Sequence, residues 1–355
     1  MTEAFDRLIR ENKIVTFVGT GGVGKTSLSL ALAIEACRQG KRVAAITVDP
    51  SRRLESLLNM TGSDSHSVSL KLPSSDNSLD VYSVDTEQGF KQFIITNISE
   101  AFYEKLNRNR IFKQISQNLR ETHNFVALNQ LVEVVKKGHY DFVVLDTPPC
   151  HQVIDFFESP QRLQKFFSSQ LTQKSGDWLG WIQKKSMSFV EIFLKRLVGQ
   201  QFVDEMESFF STVGGLSQTV NEVSAQFIDL LSSKDSSLVL VFAPAEDKIQ
   251  EARYLHQRIK EFSYQLNHFV LNRAYLSELD ESEVSWEGDD EKGRRLYNYF
   301  GEKKLRSRQL MGDLKNQLGD GELKYSLIPE INNPLRTPED FFDFSKQVRE
   351  HWSVM

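Results

Sequence analysis

Residues 19–27 read GTGGVGKTS and lie between a short apolar run, KIVTFVG at 13–19, and a stretch with helical spacing at 26–40. The segment fits the pattern GxxxxGK followed by Ser or Thr, and a strand before it with a helix after it is the context that this pattern requires. Glycines allow successive backbone N–H groups to turn inward around phosphate oxygens, and the following helix directs its positive end at them. The stretch therefore predicts a phosphate-binding loop and a P-loop NTPase fold.

The polar residues of this loop have predicted tasks. Lys25 supplies a cation to the terminal phosphates of a nucleotide, and the hydroxyl of Thr26 is a ligand for Mg²⁺. An ordinary glycine-rich turn would not need a lysine followed by a hydroxyl residue. We expect the whole loop to bind the nucleotide through Gly19, Thr20, Gly21, Gly22, Val23, Gly24, Lys25, Thr26 and Ser27.

Seven short apolar runs predict the strands of the fold. Most of them are continuous rather than alternating, which is typical of a parallel sheet covered on both faces. Stretches with helical spacing separate them, so the sequence predicts an α/β fold with a doubly wound, mostly parallel sheet and helical insertions. The runs are 13–19, 42–49, 79–85, 141–146, 237–244, 268–272 and 323–329.

Two stretches, 96–137 and 160–235, show no strand pattern and are predicted to be helical. We expect a single P-loop domain over 1–355 with a helical subdomain formed by these two insertions. Within the second, an apolar stripe at helical spacing either packs on the protein's own core or forms a groove for an apolar partner segment. The stripe consists of Trp178, Ile182, Phe189, Phe193 and Leu197.

The amino-acid composition argues against several classes of function. The net charge is −5, from 43 basic and 48 acidic residues, whereas a general nucleic-acid binder carries a strong basic excess. The polar stretch at 1–12 lacks an apolar signal core, and no run approaches the ~20 apolar residues needed to span a bilayer. We therefore expect a cytoplasmic protein that does not bind nucleic acid.

Two acidic residues stand at the ends of predicted strands. Asp49 lies in TVDPSRRLESLL at 47–58, and Asp146 lies in VVLDTPPCHQVIDFF at 143–157. Ligands of open α/β sheets bind at the carboxyl ends of the strands. An aspartate near proline is also common in turns, but two such residues on strands expected beside the loop favour roles toward Mg²⁺ and the attacking water.

Together these motifs resemble those of the ArsA and tail-anchored-protein-targeting ATPase family, in the deviant Walker A group that also contains MinD and ParA. The resemblance rests on GTGGVGKT, DPSRRL, DTPPCHQVIDFFESPQRL, VDTEQGF at 84–90, HFVLNRAY at 268–275 and LIPEINNPL at 327–335. It is strongest to the bacterial branch, with DPxRRL and DTPPxxxxxDFF.

The resemblance implies ATP and Mg²⁺ as cofactors and assigns further roles. Asp49 is expected to orient the water that attacks the γ-phosphate, and Asp146 to bind Mg²⁺ through water. Asn272 is expected to recognise adenine, beside a proline loop that includes Pro329.

Two departures from the family pattern carry consequences. Family members have a lysine at the position of Thr20, which reaches across a dimer to the partner's phosphates. A homodimer of this chain would lack that cation, whereas a heterodimer with a lysine-bearing paralogue would supply it. Cys37 and Cys150 are far apart, so we expect neither an arsenite site, which needs several soft thiolates, nor the family's CxxC zinc site.

The sequence thus predicts a Mg²⁺-dependent ATPase that couples ATP binding and hydrolysis to dimer closure and to handling of a hydrophobic protein segment. One alternative is a slow or inactive nucleotide-binding subunit of a heterodimer with a paralogous ATPase. A second alternative is a positioning ATPase of the MinD or ParA kind.

Overall fold

The apolar runs of the sequence form one mixed sheet. The computed structural model describes residues 3–48, 67–72, 77–108, 120–168, 216–262, 264–274, 290–318, 323–331 and 335–354. Within them the sheet has nine strands: β1 (Ile14–Gly19), β2 (Val43–Thr47), β3 (Ser67–Lys71), β4 (Ser78–Ser83), β5 (Phe142–Asp146), β6 (Ser236–Phe242), β7 (Leu266–Ala274), β8 (Lys324–Pro329) and β9 (Ser353–Val354).

The described helices separate most of these strands along the chain. They are α1 (Glu3–Glu11), α2 (Lys25–Arg38), α3 (Thr86–Asn97), α4 (Glu100–Arg108), α5 (Arg120–Lys136), α6 (Cys150–Ser168), α7 (Ser217–Ser232), α8 (Glu246–Lys260), α9 (Glu291–Leu318) and α10 (Pro338–His351). Among the helices that the structure describes, none is both long enough and apolar enough to cross a bilayer.

The strand order is β3-β4-β2-β5-β1-β6-β7-β8-β9. Only the outer pairs, β3 with β4 and β8 with β9, are antiparallel, and the remaining neighbours are parallel. The predicted α/β fold with a mostly parallel sheet is confirmed. All seven predicted strands are present, whereas the sequence did not indicate β3 or β9.

The order of the strands positions the phosphate loop. β1 lies between β5 and β6 and is parallel to both, so the carboxyl ends of these three strands meet at one edge of the sheet. Thr47 at the end of β2 is in register with Asp146 at the end of β5. Gly19 at the end of β1 is in register with Val241 of β6. Ligands of open parallel sheets bind at this edge.

Helix α2 packs on the sheet and also contacts α1 and α10. The ring of Phe5 in α1 meets the ring of Trp352, just after α10, edge to face at 5.1 Å. Glu35 of α2 is buried and accepts a hydrogen bond of 2.8 Å from the hydroxyl of Ser345 in α10. Arg38 of α2 pairs with Glu35, which balances the buried carboxylate.

The chain divides into two compact units. The first contains the whole sheet and comprises Met1–Ser83, Lys137–Ile154 and Leu231–Met355, and the second comprises Val84–Lys136 and Asp155–Leu230. The described elements of the second unit are all helices, and its core includes an edge-to-face pair of Phe93 and Phe125 at 4.7 Å. Residues 169–215, with the apolar stripe of 178–197, lie outside the described residues, and the boundaries of the predicted helical subdomain stay a prediction.

Candidate active site

The phosphate loop leaves β1 at Gly19 and enters α2 at Lys25. A Cβ at position 19 would lie 2.1 Å from the carbonyl oxygen of Val241, so only glycine allows β6 to approach this closely. Gly24 has φ 88° and ψ 21°, in the left-handed region that favours glycine, and it has no side chain with which to cap α2. The first turn of α2 therefore starts with its backbone N–H groups directed toward the loop, as an anion site requires.

Lys25 lies in that first turn, and its side chain is only 8% exposed. Burial lowers the effective dielectric constant around an ammonium group and strengthens its attraction to an anion. Gly22 of the loop is exposed, while Gly21 and Thr26 are half-buried. The loop thus presents an accessible backbone beside a shielded cation, which is suitable chemistry for the phosphates of a nucleotide.

Asp146 joins the loop to two neighbouring strands. Its Oδ2 accepts a hydrogen bond of 2.6 Å from the hydroxyl of Thr26, which is 120 residues away in the chain. The same oxygen accepts a second bond of 3.1 Å from the hydroxyl of Thr47 at the end of β2. The adjacent Thr147 donates its hydroxyl to the carbonyl oxygen of Phe17 in β1, at 2.8 Å.

Thr26 and Asp146 are suited to Mg²⁺ because both offer hard oxygen ligands. The described part of the chain contains no cluster of three or more His, Cys, Asp or Glu side chains that could hold a metal. Such a cluster is not required, since Mg²⁺ beside a nucleotide uses one or two protein ligands and completes its shell with phosphate oxygens and water. The residues present therefore fit this ion.

Asn272 supports the phosphate loop from β7. Its side-chain nitrogen donates to the carbonyl oxygen of Val23 at 2.7 Å, and a Cβ at Gly24 would lie 2.6 Å from the same nitrogen. The next residue, Arg273, has φ 56°, and the register between β7 and β8 shifts between Leu271 and Ala274. A non-glycine residue in this region is uncommon and often occurs at functional sites. The expected recognition of adenine by Asn272 stays a prediction.

Thr20 is completely buried, at 0% exposure, and its hydroxyl has no hydrogen-bond partner among the described residues. Its backbone N–H donates to the carbonyl oxygen of Val241 at 3.3 Å. The side chain therefore does not line the accessible side of the loop. Its assignment to nucleotide binding stays a prediction, and its burial favours a packing role for the hydroxyl-bearing side chain.

Two further residues, Asp49 and Pro329, were predicted to belong to the site. Asp49 lies outside the described residues, which end at Val48 on this side; the backbone N–H of Val48 donates to the carbonyl oxygen of Asp146 at 3.0 Å. Pro329 ends β8, where it is in register with Ala274 of β7. Both remain predictions, as do the tasks assigned to Lys25, Thr26 and Asp146.

The cysteines are both buried, Cys37 within α2 and Cys150 at the start of α6. Burial raises the pKa of the Cys150 thiol to about 11, and the nearby Glu251 carboxylate acts in the same direction. A thiol with such a pKa is neutral near pH 7 and therefore a poor nucleophile and metal ligand. The expected absence of an arsenite site stays a prediction.

Sequence reasoning missed two hydroxyl residues of the site, Thr47 and Thr147. Thr147 directly follows Asp146, and Thr47 lies two residues before Asp49. Hydroxyl residues at the carboxyl ends of strands next to acidic residues are the pattern that points to them. Pattern alone does not say which carboxylate such a hydroxyl contacts, because that depends on strand order.

Comparison with known proteins identifies related sequences. The family model described as anion-transporting ATPase matches residues 12–311. An ATPase get3 of Pyrenophora tritici-repentis is 22% identical over 268 residues, 74% of this chain and 74% of that protein. An ATPase ASNA1 homolog of Plasmodium falciparum is 21% identical over 95% of this chain and 88% of its own length. A protein of Aquifex aeolicus named as arsenical pump-driving ATPase 2 is 23% identical over 81% of this chain and 89% of its own length.

The match covers most of the chain, including the phosphate loop and the strand that ends at Asp146, and the resemblance to ArsA-type ATPases is confirmed. This chain belongs to the anion-transporting ATPase family and is an ATPase.

Proposed function

We propose that this ATPase depends on Mg²⁺ and uses ATP binding and hydrolysis to close two subunits and to handle a hydrophobic protein segment. The observation that carries the proposal is the hydrogen bond between Thr26 and Asp146, 2.6 Å long. It joins the hydroxyl of the phosphate loop, one residue after the buried Lys25 in the sequence, to the carboxylate at the end of a neighbouring strand.

In this proposal each group of the chain acts on a defined part of the nucleotide. The backbone N–H groups of the loop and the Lys25 ammonium bind phosphate oxygens and stabilise the charge that develops on them. The Thr26 hydroxyl and, through water, the Asp146 carboxylate would hold Mg²⁺, which would supply positive charge to the phosphates. Asp49 orients the attacking water and accepts its proton while the water oxygen bonds to the γ-phosphorus. The bond from that phosphorus to the β–γ bridging oxygen breaks, and ADP and inorganic phosphate are the products.

The direct test is Lys25→Ala, with ATP binding and ATP hydrolysis measured separately. We expect a folded protein, checked by circular dichroism, that has lost ATP binding or hydrolysis. A matched control is Lys13→Ala, because Lys13 lies just before β1 at its opposite end and has a 75% exposed side chain. Normal affinity and turnover in the Lys25 variant would remove the phosphate-loop assignment.

The subunit arrangement is proposed from the threonine at position 20. Removing a cation that reaches a nucleotide from a second subunit slows hydrolysis on the order of 10³–10⁵-fold, judged by arginine fingers. A homodimer of this chain would lack such a cation in both sites. We favour a heterodimer with a lysine-bearing paralogue, because Asp49, Asp146 and Lys25 are all present in the sequence. A site that is complete except for a cation from a second subunit requires these residues. A slow or inactive subunit is the second candidate, supported by the same threonine.

The test of this arrangement is Thr20→Lys in the isolated protein, which is expected to raise ATP hydrolysis. Since Thr20 is fully buried, the control is Thr20→Met, which adds comparable length without charge. Only the lysine variant is expected to gain activity. If the wild-type protein already hydrolyses ATP as fast as Thr20→Lys, another residue supplies the charge and the asymmetric arrangement is wrong.

The hydrophobic client is proposed from the apolar stripe of 178–197 and from the family resemblance. A suitable probe is a synthetic peptide of about 20 apolar residues, the length that spans a bilayer, carrying a fluorophore. We expect it to bind in the presence of ATP and Mg²⁺, and Phe189→Asp with Phe193→Asp to weaken this binding while leaving ATP affinity unchanged. Equal binding of the peptide by the wild-type protein and by the double variant would favour packing of the stripe on the protein's own core.

A further inference from the structure

The end of β2 holds Asp146 in two ways. The hydroxyl of Thr47, which is 4% exposed, donates to Oδ2 of the carboxylate at 3.1 Å. The backbone N–H of the next residue, Val48, donates to the carbonyl oxygen of Asp146 at 3.0 Å. The register of β2 with β5, in which Thr47 lies opposite Asp146, brings both donors to this residue.

The second hydroxyl limits how the carboxylate can turn. The terminal torsion of an aspartate side chain is broad, so a single bond from Thr26 leaves the plane of the carboxylate poorly defined. Thr26 and Thr47 reach the same oxygen from different elements, α2 and β2. Two donors on one oxygen fix that oxygen between them and thereby fix the direction in which the other carboxylate oxygen points.

We propose that Thr47 is a positioning residue of the ATPase reaction, which orients the Asp146 carboxylate toward Mg²⁺. This inference rests on the proposed function, since it takes Asp146 as the carboxylate that serves the ion. Partners that orient a metal-binding carboxylate matter nearly as much as the carboxylate itself, and losing one weakens metal binding or activity by about 10–100-fold.

Thr47 also links Asp146, the carboxylate expected to serve magnesium, to β2, the strand that precedes Asp49. Only Val48 separates the two residues in the sequence. A shift of β2 that moved Asp49 would move the hydroxyl that holds Asp146. The same strand therefore positions the carboxylate for the ion and leads to the carboxylate expected to orient the water.

The test compares Thr47→Val, which keeps the shape and removes the hydroxyl, with Thr47→Ser, which keeps the hydroxyl. Mn²⁺ serves as the probe, and its binding to the protein with ADP is measured by electron paramagnetic resonance. Binding of ADP in the presence of a chelator is measured alongside, and so is the Mg²⁺ dependence of ATP hydrolysis. The matched control is Thr16→Val in β1, since Thr16 is also buried and its hydroxyl has no hydrogen-bond partner in the described ranges.

We expect Thr47→Val to weaken Mn²⁺ binding and to raise the Mg²⁺ requirement by about 10–100-fold, with metal-free ADP binding unchanged. Thr47→Ser should stay within about threefold of wild type, and Thr16→Val should match wild type in metal binding. A merely structural role would instead change metal-free and metal-dependent binding together. Thr47→Ala replaces Thr47→Val if the latter does not fold, with the same expectation.

Asp146→Asn separates failure of this inference from failure of the proposed function. If Asp146→Asn abolishes the metal dependence but Thr47→Val behaves like Thr16→Val, Asp146 holds its orientation without Thr47 and the inference is wrong. If Asp146→Asn also leaves Mn²⁺ binding unchanged, the magnesium assignment itself is wrong, and the role of Thr47 is refuted with it.

Discussion

Gly24→Ala measures how tightly Asn272 supports the phosphate loop. An alanine at φ 88° adopts a left-handed conformation, which costs about 1–2 kcal/mol. Its Cβ would lie 2.6 Å from the side-chain nitrogen of Asn272, a distance that forces the amide to move. The displaced amide loses its 2.7 Å bond to the carbonyl oxygen of Val23, worth about 0.5–1.5 kcal/mol. The variant should therefore lose about 1.5–3.5 kcal/mol of unfolding free energy.

A double-mutant cycle separates the two contributions. Asn272→Ala removes the amide beforehand, so Gly24→Ala in that background should cost only the backbone term. We expect the two substitutions to be non-additive by about 1 kcal/mol, well above the deviation of about 0.3–0.5 kcal/mol seen for independent sites. The assay is urea unfolding followed by circular dichroism, with ATP affinity measured in parallel.

Gly301→Ala is the matched control for this cycle. Gly301 lies in α9, and no described atom comes within 4 Å of a Cβ built there. Alanine should raise stability at this position by about 0.5–1 kcal/mol. Additive costs for Gly24→Ala and Asn272→Ala would refute the argument, because they would mean that the amide does not brace the loop at Gly24.

Three further predictions concern single residues. Thr20→Val should raise the unfolding free energy by about 1–3 kcal/mol, because it removes a buried hydroxyl without a described partner, and it should leave ATP affinity within about twofold. Asp49→Asn should retain ATP binding and lose about 10²-fold or more of the hydrolysis rate, since an amide cannot accept a proton. His268 should make the protein less stable in acid: burial lowers the pKa of this histidine to about 3, with Lys324 and Arg7 acting in the same direction. The unfolded chain, with a histidine pKa of about 6.5, then binds a proton that the folded protein does not, and stability falls by about 1.4 kcal/mol between about pH 7.5 and pH 5.5.

Each of these three predictions would be contradicted by a specific result. A tenfold weaker affinity for ATP in Thr20→Val would mean that the hydroxyl contacts a phosphate after all. Turnover of Asp49→Asn within a few-fold of wild type would make Asp49 a turn residue. The glutamine in His268→Gln does not titrate, so the urea midpoint of this variant should decrease less on acidification than the midpoint of the wild-type protein. Equal decreases would show that other groups cause the pH dependence.

The sequence was sufficient for the features that depend on local pattern. The phosphate loop is one continuous stretch of the chain, and its glycines, lysine and hydroxyl residue occur at the fixed spacing that phosphate binding requires. The sequence alone is therefore enough to identify it. The seven strands were predictable because buried parallel strands are continuously apolar. By contrast, β3 is an antiparallel strand with half-buried and exposed positions and β9 has two residues, and neither leaves an apolar run to detect.

The contacts within the site could not be predicted in the same way. Asn272 and Val23 are 249 residues apart, and Thr47 and Asp146 are 99 residues apart. Their meeting depends on the order of strands in the sheet, which differs from their order in the chain. A resemblance supplied adenine as the ligand of Asn272, which stays a prediction, whereas the contact of its amide with Val23 is visible only in the structure.

The placement of β1 at the centre of the sheet has a consequence for how the protein is made. β1 is complete at Gly19, but its neighbours β5 and β6 end only at Asp146 and Phe242. At about 5–20 residues per second, a ribosome needs on the order of ten seconds or longer to deliver both. Until then an apolar strand and a glycine-rich loop emerge without the strands that shape them, so a nascent chain has no formed nucleotide site. Chaperones that bind nascent chains therefore encounter this ATPase first as a polypeptide that ATP cannot stabilise.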